Sequence, residues 1–230
     1  MKVKYLEKSK IENDALNVIH DFNQKFTPIT QPPVPVDEIL ENQLKLVLNI
    51  TNLKQKFGYT DVLGATFVAD HEVHIDESLD PDKSATSEGR FHFTIGHEIG
   101  HWILHKHYYP EVNGQESFFE KKPTVLCRES QRKDPQEWQA DYFASCLLLP
   151  REMVLREWDK KYGNRNPIYA DDAYKRVHDS NASEYDLEEI MNGVAAEFNR
   201  IFRVSKQAMR IRLETMGLMK KENPGELIFQ

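Results

Sequence analysis

F-H-F-T-I-G-H-E-I-G-H-W-I-L-H-K-H, residues 91–107, contains H-E-x-x-H as His97, Glu98 and His101. Residues four apart on an α-helix lie one turn above each other on one face, so two imidazoles can reach one ion from a single rigid element. Glu98 follows the first histidine by a step of about 100°, which sets it beside that ion and able to take a proton from a bound water. Zinc suits these ligands, because it accepts nitrogen and oxygen donors at four-coordinate sites and a catalytic site keeps one position for water. Ligand type restricts the ion without fixing it, so Mn2+ or another divalent ion is compatible. Ile95, Ile99, Trp102 and Ile103 recur at helical spacing on a face that can enter a core, while Thr94, His97, His101 and His105 fall on another. That periodicity favours a metal-binding helix over a histidine pair satisfied by hydrogen bonds.

Two histidines do not complete a zinc site. His105 continues the four-residue spacing, but it stands two turns from His97, about 12 Å along the axis, too far to share one ion. His105 and His107 read instead as supporting or surface groups. Glu137 is the better third ligand: it opens E-W-Q-A-D, with Asp141 one turn on and on the same face. A ligating histidine usually donates its other N–H to a carboxylate that fixes its tautomer, and Asp141 can serve that purpose. The following A-x-x-F-A-x-x-L-L-L packs this helix into a core, which argues against an ordinary solvated acidic face.

Working outward, 230 residues with 40% hydrophobic and 29% charged side chains are enough for one good core, or a core with a small appended module. No apolar run reaches the length of a membrane span. The opening M-K-V-K-Y-L-E-K has no apolar segment after its basic start, so the expected location is cytoplasmic, with no membrane partner. The formal net charge of -7 argues against a protein that coats nucleic acid. Cys127 and Cys146 form no C-x-x-C pair. Cys146 reads as a small core residue. Cys127, in V-L-C-R-E-S, could as a thiolate reach the ion and inhibit it, but only proximity in sequence recommends that, and it is not counted among the ligands.

Residues 9–25 carry a helical stripe of Ile11, Ala15, Leu16, Ile19 and Phe22 or Phe26, broken by Pro28 and the P-P-V-P of residues 32–35. A short helix is expected near Asp37. Three strand candidates follow at residues 44–50, 62–69 and 72–76, the last two joined by a polar turn at Asp70 and His71. They predict a small antiparallel sheet beside the metal helix, with His71 and His74 as surface polar residues. An exposed edge strand there could hold an extended peptide by main-chain pairing. The polar stretch of residues 108–135 is too long for a turn and is expected to wall or cover the cleft. After the E-W-Q-A-D helix, ended by Pro150, a short helix runs from Arg151. G-N-R-N-P, residues 163–167, marks the expected boundary between a domain of residues 1–162 and a module of residues 163–230. That module shows one stripe of Val194, Ala195, Phe198 and Ile201. A second helix begins at a Ser205 cap, with Val204, Ala208, Ile211 and Leu213 expected inside, giving a helix-turn-helix pattern. The fold class expected is α+β: a mainly helical zinc-binding core with a small antiparallel sheet, followed by the helix-turn-helix-like module.

H-E-x-x-H, then E-x-x-A-D-x-F-A-x-x-L-L-L-P, then V-S-x-x-A-x-x-x-R-L-x-x-x-G-L together resemble the ImmA/IrrE family of metallopeptidases, over roughly residues 35–218. The ligand pattern is also similar to that of thermolysin-like zinc peptidases. The resemblance implies that His97, His101 and Glu137 hold zinc, that Glu98 is the general base and that Asp141 orients a histidine. Arg90 and Phe93 match the usual approach to the family's metal helix. The implied activity is an endopeptidase that cuts helix-turn-helix repressors, often encoded beside them on mobile elements, and so relieves transcriptional repression. Tyr142, Arg90 and His105 are open candidates for the donor that stabilises the oxyanion. The alternative is a DNA-binding or partner-binding regulator with a structural ion. Residues 194–222 hold seven basic side chains (Arg200, Arg203, Lys206, Arg210, Arg212, Lys220, Lys221) against three acidic ones. A packing module with a solvated basic face is the preferred reading of that segment.

Overall fold

Ile11, Ala15, Val18, Ile19 and Phe22 recur every three or four residues and form the buried stripe of the first helix, α1 (Lys8–Lys25). Leu16 and Phe26, also expected in that stripe, remain partly exposed. The computed structural model describes residues 3–109, 125–128, 134–178 and 181–224. Most of the polar stretch expected to wall the cleft, residues 110–124 and 129–133, lies outside the described residues. The chain folds as two compact units, Met1–Leu148 and Leu149–Gln230.

In the first unit α1 is followed by α2 (Val36–Glu38), which widens into a π-helical turn through Gln43. Then come β1 (Val47–Thr51), α3 (Leu53–Phe57), β2 (Val62–Phe67), β3 (Glu72–Asp76), α4 (Glu88–His105), β4 (Val125–Arg128) and α5 (Pro135–Leu148). The sheet order is β1-β3-β2-β4. β2 runs antiparallel to β3 and β4, whereas β1 runs parallel to β3, so the sheet is mixed and not purely antiparallel. The reason is α3, which carries the chain past one strand position between β1 and β2. Asp76, at the end of β3, accepts hydrogen bonds from the first backbone amides of α3, Leu53 N at 3.0 Å and Lys54 N at 3.3 Å. This satisfies amides that the helix leaves unpaired. His74 is buried, not at the surface; its ring lies 4.6 Å from that of Phe67 and 2.9 Å from a Glu72 oxygen.

One irregularity in β2 positions everything that follows. Gly64 pairs with Cys127 and Val62 with Arg128, so two steps along β2 match one along β4, and Leu63 is the extra residue of a bulge. A strand alternates sides with a period of two, and an inserted residue reverses the phase. Val62 therefore joins Ala65 and Phe67 in the cluster with Leu53. Gly64 and Thr66 face the other way, toward α4, where Thr66 bonds Glu98. Directly opposed residues of an antiparallel pair share a face, so Cys127 is turned toward α4 as well.

The second unit contains α6 (Arg151–Tyr162), β5 (Ile168–Tyr169), α7 (Ala170–Lys175), α8 (Glu184–Ala196), α9 (Lys206–Thr215) and β6 (Met219–Lys220), with β5 and β6 parallel. The expected boundary after residue 162 falls inside this unit, because Trp158 of α6 is fully buried with its ring stacked 5.6 Å from that of Phe198. Gly163 ends α6 in the left-handed conformation, at φ 69°. Ser183 and Asp186 form a reciprocal cap on α8, and Ser205 caps α9 as its sequence position predicts. The buried stripes differ from those expected. Leu187, Met191, Ala195, Phe198 and Phe202 face inward while Ile201 is partly exposed. On α9 the inward residues are Met209, Arg212 and Leu213, and Ile211 is half exposed. Arg212 takes the interior place because its Nε donates to the Leu149 carbonyl at 3.0 Å. Among the described residues no helix is long and apolar enough to cross a membrane.

Candidate metal centre

The centre is built where α4 crosses α5. Gly100 makes the crossing close: a Cβ placed there would meet the Ala140 Cα and carbonyl oxygen at 3.1 Å each. Ala140 lies between Glu137 and Asp141 in sequence, so this contact brings both carboxylates to the histidine face of α4. That face is fully buried, with His97, Glu98, His101 and His105 all 3% exposed or less.

Hydrogen bonds settle which nitrogens carry lone pairs. Gln139 Nε2 donates to the Lys4 carbonyl at 3.0 Å, which leaves its Oε1 to accept from His105 Nε2, also at 3.0 Å. His105 Nδ1 is then an acceptor and takes the proton of His101 Nδ1 at 3.0 Å, so His101 Nε2 keeps a lone pair. On the other imidazole, His97 Nδ1 donates to Asp141 Oδ1 at 2.8 Å, and its Nε2 is free in the same way. The two Nε2 atoms lie 2.8 Å apart, and Glu137 oxygens approach them at 3.2 Å and 3.3 Å. Acceptors gathered this closely in a dry place repel one another unless a cation lies among them. Donor atoms about 2.0–2.1 Å from a tetrahedral zinc stand roughly 3.3 Å from each other, which is the observed carboxylate-to-imidazole spacing. The residues therefore fit a zinc-type ion.

Electrostatics agree. Burial depresses the His97 pKa, but the Cys127 sulfur, Asp141 and Glu137 outweigh it and hold His97 well above the ordinary imidazole value. Burial, helped by the His97 charge, pushes His101 down to about 4, so it stays neutral. Glu137, although buried, is held down to about 2 by His101 and His97. Glu98 is driven the other way, up to about 7, by burial against the opposing effects of His97 and the Thr66 hydroxyl.

Glu98 is held on one side only. Thr66 Oγ1 donates to Oε2 at 2.5 Å, while Oε1 is buried with no hydrogen-bond partner among the described residues. Gly64 makes room for that oxygen: a Cβ there would fall 2.3 Å from Oε1 and 2.9 Å from Thr94 Cγ2. A glycine in the middle of a strand weakens it and often marks such a close approach.

The sequence-expected residues His97, Glu98, His101, Glu137 and Asp141 are all brought together here. His105 is present too, but not as an oxyanion donor: both of its ring nitrogens are committed behind His101, and burial holds its pKa below the ordinary value. Arg90 lies exposed in the first turns of α4, and the Tyr142 ring stacks 5.7 Å from that of Trp138. Sequence reasoning missed Gln139, Thr66 and Gly64. It also set Cys127 aside, yet His97, Cys127 and Glu137 each offer a ligand atom within 4.8 Å of the others. Only a correct pairing of β4 with β2 could have found that placement, and four strand residues inside a polar stretch give too little alternation to show it. Of two other carboxylates that precede Glu137 in sequence, Asp134 accepts from the Gln136 amide at 2.9 Å, and Glu129 lies outside the described residues.

No curated protein matches the chain. A family comparison does, from just before α4 through α9, and it spans more than half of the sequence. By that match over residues 83–214, the chain belongs to the peptidase family described as the IrrE N-terminal-like domain, the ImmA/IrrE family.

Proposed function

We propose that this protein is a zinc-dependent endopeptidase acting on a protein substrate, with a helix-turn-helix repressor as the target class. The observation that carries the hydrolytic reading is Glu98, a fully buried carboxylate beside three converging acceptors, with one oxygen anchored by Thr66 and the other without a partner among the described residues. Burial of an unpaired carboxylate is costly and adds nothing to the packing of α4. The repressor class is supported by the family resemblance and not by the geometry.

His97 Nε2, His101 Nε2 and a Glu137 oxygen would hold the ion. When bound, zinc lowers the pKa of its water toward about 7 and polarises the scissile carbonyl. Glu98 takes the proton of the attacking water on Oε1 and hands it to the departing amine; a carboxyl near pH 7 can do both. Asp141 keeps His97 in the tautomer that presents Nε2, and the chain Lys4 carbonyl, Gln139, His105 does the same for His101. Arg90 and Tyr142 remain the candidates for the oxyanion donor.

In the basic C-terminal segment, Arg212 is buried, Arg210 faces Glu188 and Glu214, and Lys221 meets Glu184. Several of the cations that a DNA-binding use would need for phosphates thus have partners inside the fold, which favours a packing or substrate-docking use.

The test is incubation of the zinc-loaded protein with the helix-turn-helix repressor from its own locus and, separately, with a mixed peptide library, with cleavage followed by mass spectrometry. Repressor fragments that vanish with a chelator and with Glu98→Gln are the expected result. Cleavage of library peptides but not of the repressor would overturn the substrate class, and cleavage of neither would overturn the peptidase.

A further inference from the structure

We infer that Cys127 is a displaceable fourth ligand of the metal centre, so that its sulfur and the water nucleophile compete for one position on the ion. This rests on the reading of His97, His101 and Glu137 as the ligand set.

Three observations converge on Cys127. The first is distance: its sulfur lies within 4.8 Å of ligand atoms of both His97 and Glu137. A sulfur about 2.3 Å from a tetrahedral zinc stands roughly 3.5 Å from nitrogen ligands on the same ion, so the sulfur lies near the position that two imidazoles and a carboxylate leave open. The second is direction. Cys127 opposes Gly64 across the β2–β4 pair, and that register turns its side chain onto the face where Gly64 meets Glu98. The third is the fully buried Oε1 of Glu98 on that same face, without a partner among the described residues and expected to face the attacking water. Sulfur and the working base therefore address the same small volume.

The consequence follows from coordination number. Two imidazoles and one carboxylate leave a zinc ion one open position, the mark of a catalytic site; a fourth protein ligand makes it a closed site. Cys127 closes it when its thiol proton passes to solvent, the sulfur–metal bond forms and the water that held the position leaves, since a coordinating thiol is deprotonated outright. Opening breaks that bond, a water oxygen takes the vacated position, and the sulfur recovers a proton from solvent. No oxidant or reductant is needed. The bulge at Leu63 sets the phase of β2 against β4, so the element that delivers the sulfur is β4, the last strand of the sheet among the described residues.

Cobalt(II) reads this directly, because a thiolate bound to it gives a charge-transfer band in the near ultraviolet that nitrogen and oxygen ligands do not. The full-length protein, freed of metal and loaded with cobalt, is expected to show that band together with the visible d–d bands of a tetrahedral site. Cys127→Ser should lose the first and keep the second, and Cys146→Ala should keep both. Acetohydroxamate, which seeks the open position, should bleach the charge-transfer band. Visible bands without charge transfer in the unaltered protein would overturn the inference while leaving the metal site standing. A band that persists in Cys127→Ser, or survives saturating acetohydroxamate, would overturn it as well, by assigning the sulfur elsewhere or making it permanent. Failure to take up cobalt at all would overturn the underlying ligand set instead.

Discussion

Two helix pairs in this molecule meet the same packing demand with opposite chemistry. α8 and α9 bury Leu187, Met191, Ala195, Met209 and Leu213, and the one charged group they admit, Arg212, reaches a backbone carbonyl. α4 and α5 bury His97, Glu98, His101, His105, Glu137 and Gln139 along one seam. The first pair shows what a helix pair needs in order to fold. The second carries groups that folding does not require and that cost desolvation, and such perturbed groups gather at functional sites. The difference locates the chemistry without reference to any motif.

The contrast can be broken most directly at Glu98. Glu98→Gln is expected to keep its metal and lose peptide hydrolysis by a factor of roughly 100 to 10,000, as removal of a general base does. Metal analysis and cleavage assays on one preparation check both halves, and wild-type turnover in the variant would take Glu98 out of the mechanism. The counterpart in the second unit is Trp158→Ala, which should cost about 3–5 kcal/mol of stability through the lost ring packing, measured by denaturant unfolding. Its metal content should not change; a parallel loss of metal would show that the two regions are not separable.

A third measurement separates folding from function within the seam. The Glu98 carboxyl, raised to about 7 by burial, holds a proton in the folded state over a range where the unfolded chain has released it. Folding stability is therefore eroded as pH rises from the ordinary carboxylate value to about 7, and the full penalty applies above that. Glu98→Gln should then stabilise the metal-free protein by up to roughly 3 kcal/mol at pH 8 and by little at pH 4.5, as seen in paired melting curves. Equal effects at both values would contradict the burial argument. Smaller still, Asp141→Asn should weaken metal affinity by about 10 to 100 times without unfolding the protein, since it disturbs only the partner that sets the His97 tautomer. Competition with a chromogenic chelator measures this. Least of all, Arg210→Ala should leave duplex DNA binding at moderate salt unchanged, because Arg210 is already matched by Glu188 and Glu214. Tight binding that collapses in this variant would restore the regulator reading.

What the sequence made legible follows the range of each interaction. His97, Glu98 and His101 sit within two turns of one helix, and Glu137 with Asp141 within one turn of another, so helical periodicity alone aligns them. α1, the caps at Ser205 and the β2–β3 hairpin are local in the same sense. The parallel pairing of β1 with β3 depends on a crossover, and the β4 pairing that brings Cys127 in depends on a register between strands about sixty residues apart. No local pattern encodes either. Arg212 and Ile211 exchanged their expected places because one long-range hydrogen bond outranked periodicity. The role of His105 was hidden for a related reason: its partner Gln139 looked like a neutral residue between two interesting ones.

The hydrogen-bonded line behind His101 does not stop at Gln139 but ends at the main-chain oxygen of Lys4, whose own amide donates to the Tyr108 hydroxyl at 3.1 Å. The leading residues thus belong to the centre as much as any ligand does. Trimming the chain to begin at α1 removes that oxygen, lets the Gln139 amide turn over, and with it lets the His101 proton settle on the nitrogen meant for the ion. A laboratory preparation shortened by a handful of residues, or one nicked there by a contaminating protease, would keep every motif residue and still hold its metal less tightly.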